Sequence, residues 1–154
     1  MESWMVLLRT PGLGPSTLRP LFNRYHQPFA VLDALRSGKS GVELTIEARA
    51  WLDAPDAGLI ASDLEWLAAP GHHLLGWDDA DYPSLLHEIP GAPIALFVDG
   101  DPNLLWMPQI AIVGSRSASD AGIATTRRFA RALASAGFTI TSGMADGIDG
   151  AAHR

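Results

Sequence analysis

Two apolar runs separated by a helix-forming segment constrain the fold of this chain more than any other feature. Residues 109–113 read Gln-Ile-Ala-Ile-Val, and residues 138–141 read Phe-Thr-Ile-Thr. The first run is nearly continuous in apolar side chains, which is typical of a strand buried on both faces of a parallel sheet. Between the runs, Ser119 is a good N-cap and Gly137 lies where a C-cap is expected. The pattern predicts a βαβ unit whose right-handed crossover brings the carboxyl ends of both strands to one sheet edge.

One face of the predicted crossover helix is expected to pack on the sheet, and the other to face solvent. The inward positions recur at helical spacing: Ile123, Thr126, Phe129, Ala130 and Leu133. The arginines fall on the opposite face: Arg127, Arg128 and Arg131. We therefore expect the arginines of this helix to be solvated.

Proline and glycine divide the first seventy residues into short helical segments. Pro15, Pro28 and Pro55 each fall where a helix is expected to begin. The predicted helices span residues 3–9, 15–25, 28–36, 45–53 and 56–69. Together they predict a small all-helical domain, which resembles SAM-like or helix-hairpin-helix-like domains.

The character of the sequence changes near residue 70. Strand-like apolar runs appear at residues 72–77 and 94–98, separated by prolines and an acidic turn. We expect these runs to extend the parallel sheet. The predicted fold class is α/β, with a helical domain over residues 1–69 and a parallel-sheet domain over residues 70–154.

The absence of cysteine excludes several classes of protein. With no cysteine among 154 residues, the chain has no disulfide framework, no Cys-ligated zinc or iron–sulfur site and no thiol nucleophile. No stretch approaches the roughly 18 apolar residues of a membrane span, and no export signal is visible. The expected location is the cytoplasm, without a membrane partner.

Charge is segregated along the chain. The net charge is −6, which argues against indiscriminate coating of nucleic acid. Residues 1–40 hold five basic and two acidic side chains, residues 41–108 one basic and twelve acidic, and residues 109–154 five basic and three acidic. Both ends of the chain therefore offer a local cationic surface.

The first predicted strand runs into a loop suited to binding phosphate. Gly114 lets the backbone approach an anion, the hydroxyls of Ser115 and Ser117 add donors, and Arg116 supplies a planar guanidinium. The loop has neither the Gly-Lys-Ser/Thr of a Walker A motif nor the three glycines of the dinucleotide fingerprint. ATP hydrolysis and NAD binding are therefore disfavoured. The alternative is a plain strand-to-helix turn, in which Gly114 only relieves crowding and Ser119 only caps the helix.

The second predicted strand ends in a glycine-rich loop that begins at Ser142 and Gly143 and is expected at the same sheet edge. The two loops would form one crevice. Asp149 and His153, spaced i, i+4, favour an internal hydrogen bond or loop orientation. A metal site lacks a third ligand, and a general base acting on Ser115 or Ser142 lacks a Gly-x-Ser-x-Gly elbow. We expect no catalytic residue, no metal site and no cofactor.

A glycine-rich turn at residues 11–15 resembles the hairpin of helix-hairpin-helix proteins, which presents backbone N–H groups to a DNA phosphate. Gly12, Gly14 and the nearby Arg19 are therefore candidate accessory DNA contacts. The alternative is a helical module that contacts only protein.

The motifs of the predicted βαβ unit resemble a known family. Residues 110–116 and 141–153 look like the core signature of the DNA-processing protein A (DprA, also called Smf) family. Asp81-Tyr82-Pro83 and residues 96–100 resemble the lead-in to that signature, and residues 1–69 resemble the N-terminal helical domain of the family. The resemblance covers essentially the whole chain.

The resemblance implies a non-enzymatic role in natural transformation and DNA recombination. Members of this family bind incoming single-stranded DNA, protect it from nucleases and help load the RecA recombinase, acting as homodimers through an extended Rossmann-like domain. The residues carried over as phosphate contacts lie in the two loops: Gly114, Ser115, Arg116, Ser117, Ser142 and Gly143. Because the family's domain continues past the His of this motif, we expect the chain to be part of a longer protein.

Two other functions fit the same sequence. A phosphoribohydrolase-like enzyme would share a related Rossmann-like core with glycine-rich loops at the same sheet edge. A pure protein-interaction module would use the acidic middle segment and the helices, with purely structural loops.

Overall fold

The computed structural model describes residues 1–154 and is mixed α/β. The helices are α1 (Glu2–Arg9), α2 (Pro15–Tyr25), α3 (Pro28–Arg36), α4 (Ile46–Asp53), α5 (Ala57–Ala68), α6 (Ser84–His87), α7 (Asp120–Ser135) and α8 (Ile148–Ala152). The strands are β1 (His72–Gly76), β2 (Ala95–Asp99), β3 (Gln109–Ala111) and β4 (Thr139–Thr141), and a short 3₁₀ helix spans Pro102–Trp106. No helix combines the length and the apolar character needed to cross a bilayer.

The five predicted N-terminal helices are all present, with bounds within one residue of those expected. Local signals account for this agreement. Pro15 and Pro28 each occupy the first turn of their helix. The Thr45 hydroxyl caps α4 by accepting from the Ala48 N–H at 3.1 Å, and the Asp56 carboxylate caps α5. Each cap satisfies backbone donors that the helix itself leaves unpaired.

The chain divides into two compact units, Met1–Pro102 and Asn103–Arg154. These units differ from the predicted domains 1–69 and 70–154. The hairpin of β1 and β2 belongs to the first unit because its apolar side chains share a core with the helices. Leu74 of β1 and Leu96 of β2 pack against the cluster that contains Phe22 of α2, and Trp77 and Ile94, which flank the two strands, are buried in it.

Aromatic packing and one hydrogen bond from a side chain to the backbone organise the core of the first unit. The rings of Trp4 and Phe22 stack with centroids 4.6 Å apart, and the Trp51 indole N–H donates to the Val6 carbonyl at 2.9 Å. Full burial of a large apolar side chain contributes about 1.5–3 kcal/mol. Helices this short are marginally stable in isolation, so packing in this core stabilises them.

The four strands form two separate sheets. β1 and β2 pair antiparallel, from His72 opposite Asp99 to Gly76 opposite Ala95. β3 and β4 pair parallel, and β1 and β2 do not join them. The expectation that the runs 72–77 and 94–98 extend the parallel sheet was wrong, because they satisfy each other's backbone hydrogen bonds.

The predicted βαβ unit is confirmed, although its first strand is less buried than expected. β3, α7 and β4 follow in order, the Ser119 hydroxyl caps α7 at the Gly122 N–H, and Gly137 follows the helix with φ +91°. The prediction of burial on both faces was wrong. Gln109 and Ala111 of β3 are exposed and Ile110 is half-buried, because β3 has only one neighbouring strand.

The two predicted faces of α7 are only partly observed. Thr126 and Ala130 are buried as expected, whereas Phe129 is 63% exposed, so its inward placement was wrong. The two-stranded sheet is too narrow to cover the flank on which Phe129 lies. Arg128 and Arg131 are exposed, as predicted, and Arg127 is half-buried.

An ion pair joins α1 to α5. The Arg9 guanidinium donates to both carboxylate oxygens of Asp63, at 2.5 and 2.7 Å. These hydrogen bonds hold the pKa of Asp63 below its usual value. A lowered folded-state pKa stabilises the fold above the unfolded pKa of about 3.9, and the contribution is lost as the pH falls through the folded-state value.

Asp63→Asn is expected to lower the free energy of unfolding at pH 7 by about 0.5–1 kcal/mol, since water screens a pair this accessible. The difference from the parent protein should begin to shrink as the pH falls below about 3.9 and should disappear below the lowered pKa of Asp63. Urea denaturation across this pH range measures both effects, with Asp33→Asn, an exposed carboxylate of α3, as the control. A constant difference at all pH values would contradict the assignment.

Gly76→Ala is expected to destabilise the protein by about 1–3 kcal/mol, the usual effect of overpacking. A Cβ at this position would lie 2.4 Å from Trp4 Cζ2, and Trp4 is held by its stacking on Phe22. Trp4→Phe in the same background should recover part of the loss, because the smaller ring leaves room for the methyl group. Additive losses in the double variant, measured by denaturant unfolding, would show that the two sites are independent.

Candidate nucleic-acid interface

Two loops leave the parallel sheet at the same edge, within the second unit. Because β3 and β4 are parallel, residues 112–119 and residues 142–147 both follow the carboxyl ends of their strands. The Ile112 N–H still donates to the Thr141 carbonyl at 2.9 Å. The loops therefore diverge only after these residues, where ligands of open α/β sheets commonly bind.

The carboxylate of Asp149 connects the two loops. Its Oδ1 accepts from the Gly114 N–H at 3.2 Å, and its Oδ2 accepts from the Gly143 N–H at 3.0 Å. Asp149 is 7% exposed, so this bridge is largely shielded from water. The predicted role in loop orientation thus describes Asp149 well, although its carboxylate contacts backbone amides rather than His153.

The loops also approach each other through their backbones. The Ile148 N–H donates to the Ser115 carbonyl at 3.1 Å. A Cβ on Gly147, which has φ +82°, would lie 2.1 Å from the Ser115 oxygen, and a Cβ on Gly114 would lie 2.7 Å from Ile148 Cγ1. Both positions therefore require glycine. The crowding that Gly114 relieves comes from Ile148 at the start of α8, a contact that sequence reasoning missed.

Ser142 and His153 form a contact within the second loop and α8. The Ser142 hydroxyl lies 2.8 Å from His153 Nε2 and accepts from the Met144 N–H at 3.1 Å. A hydrolytic triad needs an acid that orients the histidine, and the Asp149 carboxylate instead accepts from the loop amides. The arrangement fixes the loop. No three histidine or acidic side chains gather at a metal-binding distance.

Polar side chains of the first loop are open to solvent. Ser115, Arg116 and Ser117 are exposed at the entry to α7. The Ser115 hydroxyl accepts from the Ser117 N–H at 3.1 Å, which forms a local turn. Arg116 forms no ion pair within the chain, so its guanidinium is accessible to an anion.

The structure brings the six predicted loop residues to one sheet edge, but with different availability. The N–H groups of Gly114 and Gly143 already donate to a carboxylate. The Ser142 hydroxyl is likewise engaged within the chain, 2.8 Å from His153 Nε2. The donors that remain for a ligand are the side chains of the first loop. The role of all six residues in binding phosphate stays a prediction.

The glycine-rich turn lies in the first unit, between α1 and α2. Gly12 has φ +75°, and the Gly14 carbonyl accepts from the Leu18 N–H at 3.0 Å. The Arg19 guanidinium lies 4.7 Å from the centroid of the Trp77 ring, a cation–π contact with a buried core residue. This structural role of Arg19 was not foreseen, and the accessory DNA contact of this turn stays a prediction.

The fold and the loops define a Rossmann-like α/β unit that follows a helical module. A sequence profile described as DNA recombination-mediator protein A matches residues 73–154, slightly more than half of the chain. The chain is 42% identical to Protein Smf of Escherichia coli strain K12 over 123 residues, covering 80% of this chain and 32% of that protein. It is 32% identical to Protein Smf of Synechocystis over 162 residues, covering 97% of this chain and 39% of that protein.

A solved structure agrees with these sequence comparisons. The X-ray structure of DNA processing protein A (DprA) from Streptococcus pneumoniae matches with a TM-score of 0.72 and 25% identity, covering 99% of this chain and 52% of that chain. The chain therefore belongs to the DNA processing protein A (DprA/Smf) family. It spans about a third to two fifths of the length of the two Smf proteins.

Gly147→Ala is expected to reduce the free energy of unfolding by roughly 2–5 kcal/mol, because backbone strain of about 1–2 kcal/mol adds to overpacking of about 1–3 kcal/mol. Gly137→Ala is the matched control, since Gly137 also has a positive φ, +91°, but no atom lies within 4 Å of its Cβ position. The loss of free energy of unfolding in Gly137→Ala should therefore contain only the backbone strain. Equal losses in the two variants, measured by urea denaturation, would show that the loops do not pack as described.

Proposed function

We propose that this chain binds single-stranded DNA through the crevice between residues 112–119 and residues 142–147. The observation that carries this proposal is the exposed, unpaired Arg116. It is flanked by two serine hydroxyls on a loop that is held in place by hydrogen bonds with Ile148 and Asp149 at the start of α8. A guanidinium and neighbouring hydroxyls together suit the phosphates of a nucleic-acid backbone.

Charge favours a local contact with one strand over broad contact with duplex. The chain carries a net charge of −6, so bulk attraction to duplex DNA is weak. A crevice with one accessible arginine can neutralise one phosphate, and the neighbouring hydroxyls can donate to the phosphates next to it on a flexible strand that follows the surface. We infer that single-stranded DNA is the preferred ligand.

The names of the relatives support a role in DNA processing. DprA of Streptococcus pneumoniae is named a DNA processing protein, and the matching profile is described as a DNA recombination mediator. We propose that the whole protein acts in the cytoplasm as a homodimer, protects incoming DNA during natural transformation and helps load the RecA recombinase. We propose binding rather than catalysis, without a cofactor.

Arg116→Ala is expected to weaken binding of a labelled oligo-dT about tenfold, the effect of removing a charge-assisted hydrogen bond. Fluorescence anisotropy over a series of salt concentrations measures the dissociation constant. The slope of log affinity against log salt should fall in magnitude by about 0.7 for each phosphate that the variant no longer neutralises. Arg128→Ala, which removes an exposed arginine of α7 outside the crevice, is the matched control and should have little effect.

Two results would contradict the proposal. The first is equal affinity for the single strand and for the corresponding duplex. The second is an Arg116→Ala variant that binds like the Arg128→Ala control. If the parent protein instead releases a nucleobase from nucleotides and Arg116→Ala impairs that turnover, the phosphoribohydrolase hypothesis replaces this one.

A further inference from the structure

We propose that Asp149 is the positioning residue of the crevice: by binding the Gly114 and Gly143 amides, its carboxylate sets the separation of the two loops that contact DNA. The proposal rests on the proposed function. It assigns to Asp149 an effect on DNA affinity that is exerted through the loops, without contact between Asp149 and the strand.

The chemistry of the bridge explains why this position suits an aspartate. The two oxygens of one carboxylate accept from amides of two different loops, at 3.2 and 3.0 Å. An ionised oxygen accepts an N–H more strongly than a neutral one does. A neutral side chain with a single acceptor satisfies only one loop, and the amide of the other loop is then left without its partner.

The bridge also decides where a phosphate can bind. A carboxylate already occupies the two amides that the glycines offer, so a phosphate is excluded from the space between Gly114 and Gly143. The exposed side chains of Ser115, Arg116 and Ser117 remain. Asp149 thereby directs the DNA strand to the outer side of the first loop. It also fixes the position of Arg116 relative to the second loop.

Positioning and simple electrostatics predict opposite results, which makes the two explanations distinguishable. A negative charge beside a phosphate-binding crevice repels DNA. If charge alone mattered, neutralising Asp149 would strengthen binding. If the carboxylate positions the loops, neutralising it weakens binding, because the loops separate.

The experiment compares Asp149→Asn with Asp146→Asn in the whole chain. Asp146 is an exposed residue of the same loop, and its substitution removes the same charge without touching either bridging amide. We expect Asp149→Asn to bind oligo-dT about tenfold more weakly, close to the effect of removing one charged hydrogen bond. Asp146→Asn should bind as well as the parent protein or slightly better. Asp149→Ala, which keeps neither acceptor, should bind more weakly than Asp149→Asn.

Amide NMR supplies a readout that is independent of DNA. In Asp149→Asn we expect the resonances of Gly114 and Gly143 to shift and their hydrogen exchange to accelerate, while the amides of α7 and of the first unit stay unchanged. Unchanged or tighter DNA binding by Asp149→Asn would overturn the proposal. General loss of chemical-shift dispersion in that variant would also overturn it, by reducing Asp149 to a folding role.

Failure of the proposed function is distinguishable from failure of this inference. If Arg116→Ala binds DNA as the parent protein does, the crevice is not the DNA site. If Arg116→Ala weakens binding and Asp149→Asn does not, the crevice remains the DNA site and the positioning role of Asp149 is wrong.

Discussion

One buried carboxylate holds the candidate site together. Asp149 accepts from an amide of each loop, and these hydrogen bonds connect the ends of β3 and β4 to the start of α8. A two-stranded parallel sheet has few ladder hydrogen bonds of its own, so contacts beyond the strands have to maintain the loop geometry. The charged acceptor supplies two of these contacts, and the Ile148 N–H adds a third at the Ser115 carbonyl.

In the two loops, backbone groups hold the loops together and side chains remain exposed to a ligand. Backbone groups point inward, where Gly114 and Gly147 permit an approach that any Cβ would block. Exposed side chains of the first loop, Arg116 among them, are left for a ligand. This division differs from the usual glycine-rich phosphate loop, in which backbone N–H groups bind the anion directly. In this chain the Asp149 carboxylate, and not an external anion, accepts from the backbone N–H groups of the loops.

Local signals made much of the fold predictable. Prolines and capping residues such as Thr45 determine helix bounds over short distances, and the five N-terminal helices matched within one residue. Contacts over long sequence distances were the source of error. β1 pairs with β2 and not with the parallel strands, a choice that short-range sequence signals do not determine. The exposure of Phe129 and Val113 depends on the number of strands in the sheet. The spacing of Asp149 and His153 suggested a pair, whereas folding gave each a different partner.

The acidity of the chain makes the internal bridge relevant to selectivity. A net charge of −6 makes general attraction to DNA weak, so under the proposed function the affinity comes from a few well-placed donors. Such donors are effective only when their positions are fixed before binding, because ordering them on binding lowers affinity. In the positioning role proposed for Asp149, the carboxylate fixes the loops and at the same time adds negative charge to the crevice, so it weakens general attraction while it orders the donors. The proposed ligand, a flexible single strand, is consistent with this balance because its phosphates can adapt to donors whose positions are fixed.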